Sequence, residues 1–165
     1  MVINRANVKK RLIAIQRQLQ DSFREKSFTN EHSVAKEFER TPKKGWFGEW
    51  RYEGDGKGAI KRKFAGRFVY PDILLQLKFE GENDPLDIVG DVKFIKDVKR
   101  ASQQIATGIG QCLIYRTVFK KDYACAIVFH NGIKEEDEGL RETIKAAWDA
   151  RIFVMLIQTE QVIKK

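Results

Sequence analysis

The sequence predicts one α/β domain with a mixed central sheet flanked by helices, and three observations carry that prediction. Residues 123–129 and 152–157 are unbroken apolar runs separated by a helical segment at 135–150. Strands apolar on both faces and joined through a helix belong to a parallel sheet covered on each side. Residues 68–79 and 87–95 instead alternate between apolar and polar positions, and the turn-forming stretch 81–85 joins them as adjacent strands. Finally, 165 residues fill one domain, whereas two independent domains would each be undersized.

The chain opens with a helix. Val8, Leu12, Ile15, Leu19 and Phe23 recur at steps of four, three, four and four, which predicts an amphipathic helix over residues 4–26. Lys9, Lys10, Arg11, Arg17 and Arg24 surround that stripe, either to contact phosphates or only to solvate the helix. Thr29-Asn30 offers a cap for a second helix, with Val34, Ala35 and Phe38 as its stripe and Glu31, Glu37 and Glu39 as its acids, ending before Pro42.

Residues 45–68 combine aromatics (Trp46, Phe47, Trp50, Tyr52), glycines (Gly54, Gly56, Gly58) and cations (Lys57, Lys61, Arg62, Lys63, Arg67). They predict a strand, a flexible turn and another strand. Basic residues interleaved with aromatics suit a surface that stacks on bases, although the same spacing also suits aromatics buried in a sheet. The glycines are not a phosphate loop, because no Gly-Lys-Ser/Thr follows and no helix opens there.

On the strand at 68–79, Ile73, Leu75, Leu77 and Phe79 share one face and Asp72, Leu74 and Gln76 the other. On the strand at 87–95, Ile88, Val92 and Phe94 oppose Asp87, Val89, Asp91 and Lys93. A helix over 101–116 gathers Gln104, Gly108, Gln111 and Tyr115 within roughly 60° of one another, beside Ile105, Ile109, Cys112 and Leu113. The two buried strands follow, with Leu140, Ile144, Ala147 and Trp148 on the helix between them. No internal repeat interrupts this order.

Charge is unevenly spread. Residues 1–67 hold 17 Lys and Arg against 8 Asp and Glu, whereas residues 68–165 hold 14 against 15. A basic front suggests a polyanion partner, most simply nucleic acid. No run approaches the roughly 18 apolar residues of a membrane span, so no membrane partner is expected and the cytoplasm is the expected location. Cys112 and Cys125, with His32 and His130, are too few for a disulfide framework or zinc cluster, so any metal should be hard and oxygen-bound. Both thiols fall at apolar positions and are expected to be inert. His130-Asn131-Gly132 reads as a turn.

The pattern that carries chemistry is Pro71-Asp72, an 18-residue gap, then Asp91-Val92-Lys93. Two carboxylates on neighbouring strands, aimed at one point, suit Mg²⁺, and alternation puts Lys93 beside the same ion. Such an ion can polarise a phosphodiester and lower the pKa of a bound water, while an adjacent ammonium orients that water or offsets phosphoryl charge. Asp87 shares the face of Asp91, as an outer ligand or as a solvated acid.

In these motifs the chain resembles the PD-(D/E)XK nuclease superfamily, with its restriction-endonuclease-like αβββαβ core, over about residues 31–129. The resemblance implies Asp72 and Asp91 as metal ligands, the carbonyl of Val92 as a third oxygen donor, and Lys93 as the catalytic lysine. Gln111 and Tyr115 are similar to the Gln-xxx-Tyr element of the branch related to RecB and lambda exonuclease, where both face the active site. A glutamate of the first core helix is a further ligand in many members, and Glu37 or Glu39 fits it, with Glu37 preferred. Asp91 stands where Glu is commoner. By this reading residues 1–28 form a basic helical extension outside the core, 29–130 the catalytic core, and 131–165 a C-terminal helix and strand. The implied function is a Mg²⁺-dependent deoxyribonuclease, with Mn²⁺ expected to substitute. DNA, double-stranded or branched, is the expected partner, held by Lys9, Lys10, Arg17, Lys57, Lys61, Arg62, Lys63 and Arg67; members of this size often act as homodimers. The alternatives are an RNA nuclease and a binding module that keeps the fold without cutting.

Overall fold

A computed structural model describes residues 3–41, 49–52 and 61–160; of residues 49–52 it gives the backbone, and it leaves the side chain of Glu39 undescribed. Helix α1, Arg5–Phe23, starts at Asn4, whose side chain accepts the Asn7 N–H at 2.9 Å. Its predicted stripe, Val8, Leu12, Ile15, Leu19 and Phe23, is fully buried. The helix expected as an extension therefore supplies five side chains to the core that the sheet also fills. Helix α2, Glu31–Arg40, begins at Asn30 with a reciprocal cap between Asn30 and Ser33 and buries Val34 and Phe38 against the same core.

Strand β1, Glu49–Tyr52, belongs to a five-stranded sheet with β4 (Ile73–Leu77), β5 (Leu86–Ile95), β6 (Tyr123–His130) and β7 (Ile152–Gln158), in the order β1-β4-β5-β6-β7. Strand β4 runs antiparallel to both of its neighbours, β1 and β5, and β5, β6 and β7 are parallel, as the two apolar runs predicted. A short 3-10 turn, Val98–Arg100, leads into α3, Ala101–Val118, and α4, Glu138–Asp149, connects β6 to β7. Alternation divides the interior into two layers. Ile73, Leu75, Ile88, Val92, Cys125, Ile127 and Met155 pack with α1 and α2, while Leu74, Val89, Ala124, Ala126 and Val154 pack with α3 and α4.

Helix α1 lies on β7, an edge strand. Gln20 donates to the Gln158 carbonyl at 2.9 Å and accepts the Gln158 N–H at 2.8 Å, so its amide occupies main-chain groups that a further strand would use.

The strand expected over 68–79 is two strands. Residues Arg67–Val69 form β3, which pairs with β2, Arg62–Phe64, as a separate antiparallel ribbon, and only Ile73–Leu77 joins the sheet. Pro71 explains the break: it has no N–H to donate and restricts Tyr70 before it, so the chain changes partner there. Ala65 and Gly66 close the ribbon with φ of 48° and 80°, the two consecutive positive values of a type I′ hairpin. Among the described residues no helix is long and apolar enough to cross a membrane.

Candidate active site

Strand β5 outruns its antiparallel neighbour. Its residues 86–90 pair with 77–73 of β4, and among the described residues no strand pairs with that side past Gly90. Asp72 and Glu31 take over the donors left there. Asp72 anchors itself by donating its N–H to the Gly90 carbonyl at 2.9 Å, and its Oδ2 accepts the Val92 N–H at 2.9 Å. The next outward-facing donor, the Phe94 N–H, lies close enough to the carboxylate of Glu31, at the start of α2, to lower its pKa. A strand that ends early thus gathers two acids, because unpaired main-chain N–H groups recruit carboxylates.

Asp91 lies beside them on the α3 face and is 1% exposed. Lys93 Nζ forms an ion pair with its Oδ2 at 2.8 Å, whereas its Oδ1 has no hydrogen-bond partner. Burial first, and then the charge of Asp72, push the Asp91 carboxyl well above the usual carboxylate range against the pull of Lys93. Burial works against the Lys93 ammonium, but Asp91, Glu31 and Asp72 together outweigh it and raise its pKa. Glu31 is also raised, by burial and by Asp72, with Lys93 opposing. Lys93 Nζ is 3.5 Å from the Val92 carbonyl oxygen, so that oxygen borders the same group.

Helix α3 closes the other side. A Cβ on Gly108 would sit 3.4 Å from both Asp91 Oδ2 and Lys93 Cγ, so the helix backbone rests almost against the pair. One turn on, Gln111 is half-buried and its Oε1 has no hydrogen-bond partner; Gln104 Oε1, one turn before Gly108, is in the same position. Tyr115 is buried, and burial followed by the negative fields of Asp91 and Asp72 pushes its hydroxyl pKa up. It remains a neutral donor. Cys112 donates its S–H to the Cys125 carbonyl at 3.2 Å, and burial raises both thiols, Cys125 to about 12, so neither is a nucleophile.

Asp72, Asp91, Lys93, the Val92 carbonyl, Tyr115 and the α3 face carrying Gln111 are thus brought together. Glu37 is not: its carboxylate pairs with Lys26. The α2 acid whose field reaches Lys93 and Asp72 is Glu31. The sequence marked it only by its place directly after the Asn30 cap, at the start of α2. Asp87 takes part elsewhere, accepting from Gln76 at 2.8 Å and pairing with Lys121 at 2.7 Å. Lys9, Lys10 and Arg17 lie on α1, in the layer opposite α3 and against β7, two strands from β5, so they are not near the acids. Lys61, Arg62, Lys63 and Arg67 are exposed on the ribbon that runs directly into Asp72. Lys57 lies outside the described residues.

Among the described residues no three His, Cys, Asp or Glu side chains form a ready-made metal cage. Two carboxylates suffice for an ion that keeps most of its waters. The unpartnered Oδ1 of Asp91 fits such an ion, because a buried carboxylate oxygen without a donor is costly unless a cation meets it. The chain matches no protein-family model, no curated protein and no solved structure.

Proposed function

We propose that this chain is a divalent-metal-dependent nuclease of the PD-(D/E)XK type, hydrolysing phosphodiester bonds of DNA on a restriction-endonuclease-like fold. One observation carries the reading: Asp91 is buried beside Asp72, with its Oδ2 2.8 Å from the Lys93 ammonium and its Oδ1 without a partner. The order of elements supports it, since from α2 to β6 the main sheet follows helix, three strands, helix, strand.

Asp72 and Asp91 would hold Mg²⁺ or Mn²⁺, with the Val92 carbonyl and Glu31 as further oxygen donors. The ion's contribution is to polarise the phosphate and acidify a bound water. Every other role belongs to the chain. Asp72 is fixed by the Val92 N–H and so presents its second oxygen in a set direction. Lys93, held between Asp91 and Glu31, orients the attacking water or offsets charge on the phosphoryl oxygens. Tyr115 stays protonated and donates a hydrogen bond, and the free Oε1 of Gln111 accepts one, so both are positioning residues for the lysine or the DNA strand.

End-labelled DNA incubated at low salt with Mg²⁺, and in parallel with EDTA, tests this. Wild type should cut only with the ion, and Asp91→Ala and Lys93→Ala should each lose at least about a hundredfold in rate, the scale of positioned acid–base and electrostatic groups. Uncut DNA with wild type, or equal cutting by Asp91→Ala, would remove the proposal. A matched RNA duplex in the same assay separates a ribonuclease.

A further inference from the structure

The β2–β3 ribbon is not needed to close the core. It forms its own two-stranded sheet, and of its residues only Val69 packs against the interior. Such a ribbon is marginal in water without packing, yet this one exposes Phe64 at 45% and Phe68 at 56%, followed by Tyr70 at 38%. Those three aromatics stand within seven positions. The register sets Phe68 with Lys63 on one face and Phe64 with Arg67 on the other, and a solvent-facing ring such as Phe68 on an otherwise polar element points to a partner with apolar faces of its own.

Charge narrows the partner. Residues 61–71 carry Lys61, Arg62, Lys63 and Arg67 and no acid. Lys61 and Lys63 place their ammonium groups 5.5 and 5.6 Å from the Phe68 ring centroid, so the same patch offers a flat ring and cations at its rim. A base stacks on the ring while its phosphates meet the ammonium groups. Blunt duplex DNA meets the cations but keeps its bases stacked upon each other, so it cannot use the rings. Single-stranded DNA, or the splayed strand of a fork, uses both.

Geometry supplies the link to the acids. The type I′ turn at Ala65-Gly66 holds the ribbon tightly, and Asp72 follows Phe68 by four residues. Four residues reach at most about 14 Å. At roughly 3.4 Å per base step, a base on Phe68 leaves the acids within about four nucleotides.

We propose that the β2–β3 ribbon is a base-stacking arm, with Phe68 receiving an unpaired base of a single-stranded or forked DNA and Lys61 and Lys63 meeting its phosphates. The nuclease reading supplies only the position of the cut, on which this substrate class rests for its meaning. The test is therefore made in EDTA, where no cutting intervenes. Fluorescence anisotropy of the full chain with labelled single-stranded, forked and blunt-duplex oligonucleotides is compared with that of the Phe68→Ala variant. Single-stranded and forked DNA should weaken about tenfold or more with the loss of the base from this ring, while duplex binding stays within about twofold. The salt dependence should not change, because no charge has been removed. Independently of any variant, wild type should bind an oligonucleotide carrying abasic sites more weakly than its intact counterpart of equal charge. Unweakened single-strand binding by the variant, equal weakening on duplex, or equal affinity for abasic DNA would overturn the arm. Loss of Mg²⁺-dependent cutting with these binding differences intact would instead overturn the nuclease reading alone.

Discussion

Replacing Gly90 with Ala should destabilise the protein and disturb both acids at once. Gly90 faces Ile73 of β4 on one side and Cys125 of β6 on the other, in the middle of the sheet. A Cβ there would lie 2.6 Å from the Cys125 carbonyl oxygen, 2.7 Å from Ile73 Cγ1 and 2.8 Å from Cys125 Sγ. Ordinary contacts lie near 3.5–4.0 Å, so each atom is invaded by about 1 Å. The carbonyl belongs to a strand paired on both sides and cannot step away without shifting its ladder. Overpacking of this kind costs about 3 kcal/mol, and the lower chain entropy of Ala in the unfolded state returns at most about 1. A net loss of about 2 kcal/mol corresponds to a fall of roughly 4–8 °C in melting temperature for a domain of this size. Urea titration should show a lower midpoint at unchanged slope. Gly110→Ala is the control, since nothing lies within 4 Å of its Cβ in the exposed middle of α3, and helix propensity should raise stability by up to about 1 kcal/mol. If Gly90→Ala melts within about 1 °C of wild type, the close approach of the three central strands is not as described. Because Asp72 donates its N–H to the Gly90 carbonyl, the same substitution should also lower Mg²⁺-dependent cutting in the fraction that folds.

Glu31→Gln should reduce cutting at least about tenfold at limiting Mn²⁺, whereas Glu37→Gln, which breaks only a pair with Lys26, should stay within about twofold; rates against metal concentration distinguish them. Gly108→Ala should leave the melting temperature unchanged or slightly raised, yet weaken metal binding seen by calorimetry, because its methyl crowds Asp91 Oδ2 at 3.4 Å. His130 is buried, accepts the Ile133 N–H on Nδ1, and is pushed down to about 4 from an ordinary 6.5 by burial. Its contribution to stability is complete above pH 6.5 and is lost as the pH falls towards 4, about 3 kcal/mol in all. Urea midpoints at pH 7 and 4.5 should therefore differ less in His130→Asn than in wild type. The raised carboxyls of Asp91 and Glu31 act in the opposite sense, stabilising as the pH falls, and are common to both proteins.

What the sequence determined by itself follows from local periodicity. A period of two set which side chains of β4 and β5 share a face, so that Asp72, Asp91 and Lys93 could be placed on one side before any fold was known. A period of 3.6 did the same for the stripe of α1 and for Gly108, Gln111 and Tyr115 on α3. Tertiary structure decided the rest, because it depended on which elements meet. Glu31 and Glu37 are both acids of α2, but six residues turn a helix through about 240°, so only the placement of α2 over the end of β5 selects between them. Pro71 was visible, yet what it does, releasing Tyr70 and the residues before it into a separate ribbon, depends on β4 finding β5 and β3 finding β2. The basic helix likewise carried no mark of the strand it would cover, since an apolar stripe records how much surface must be buried and not against what.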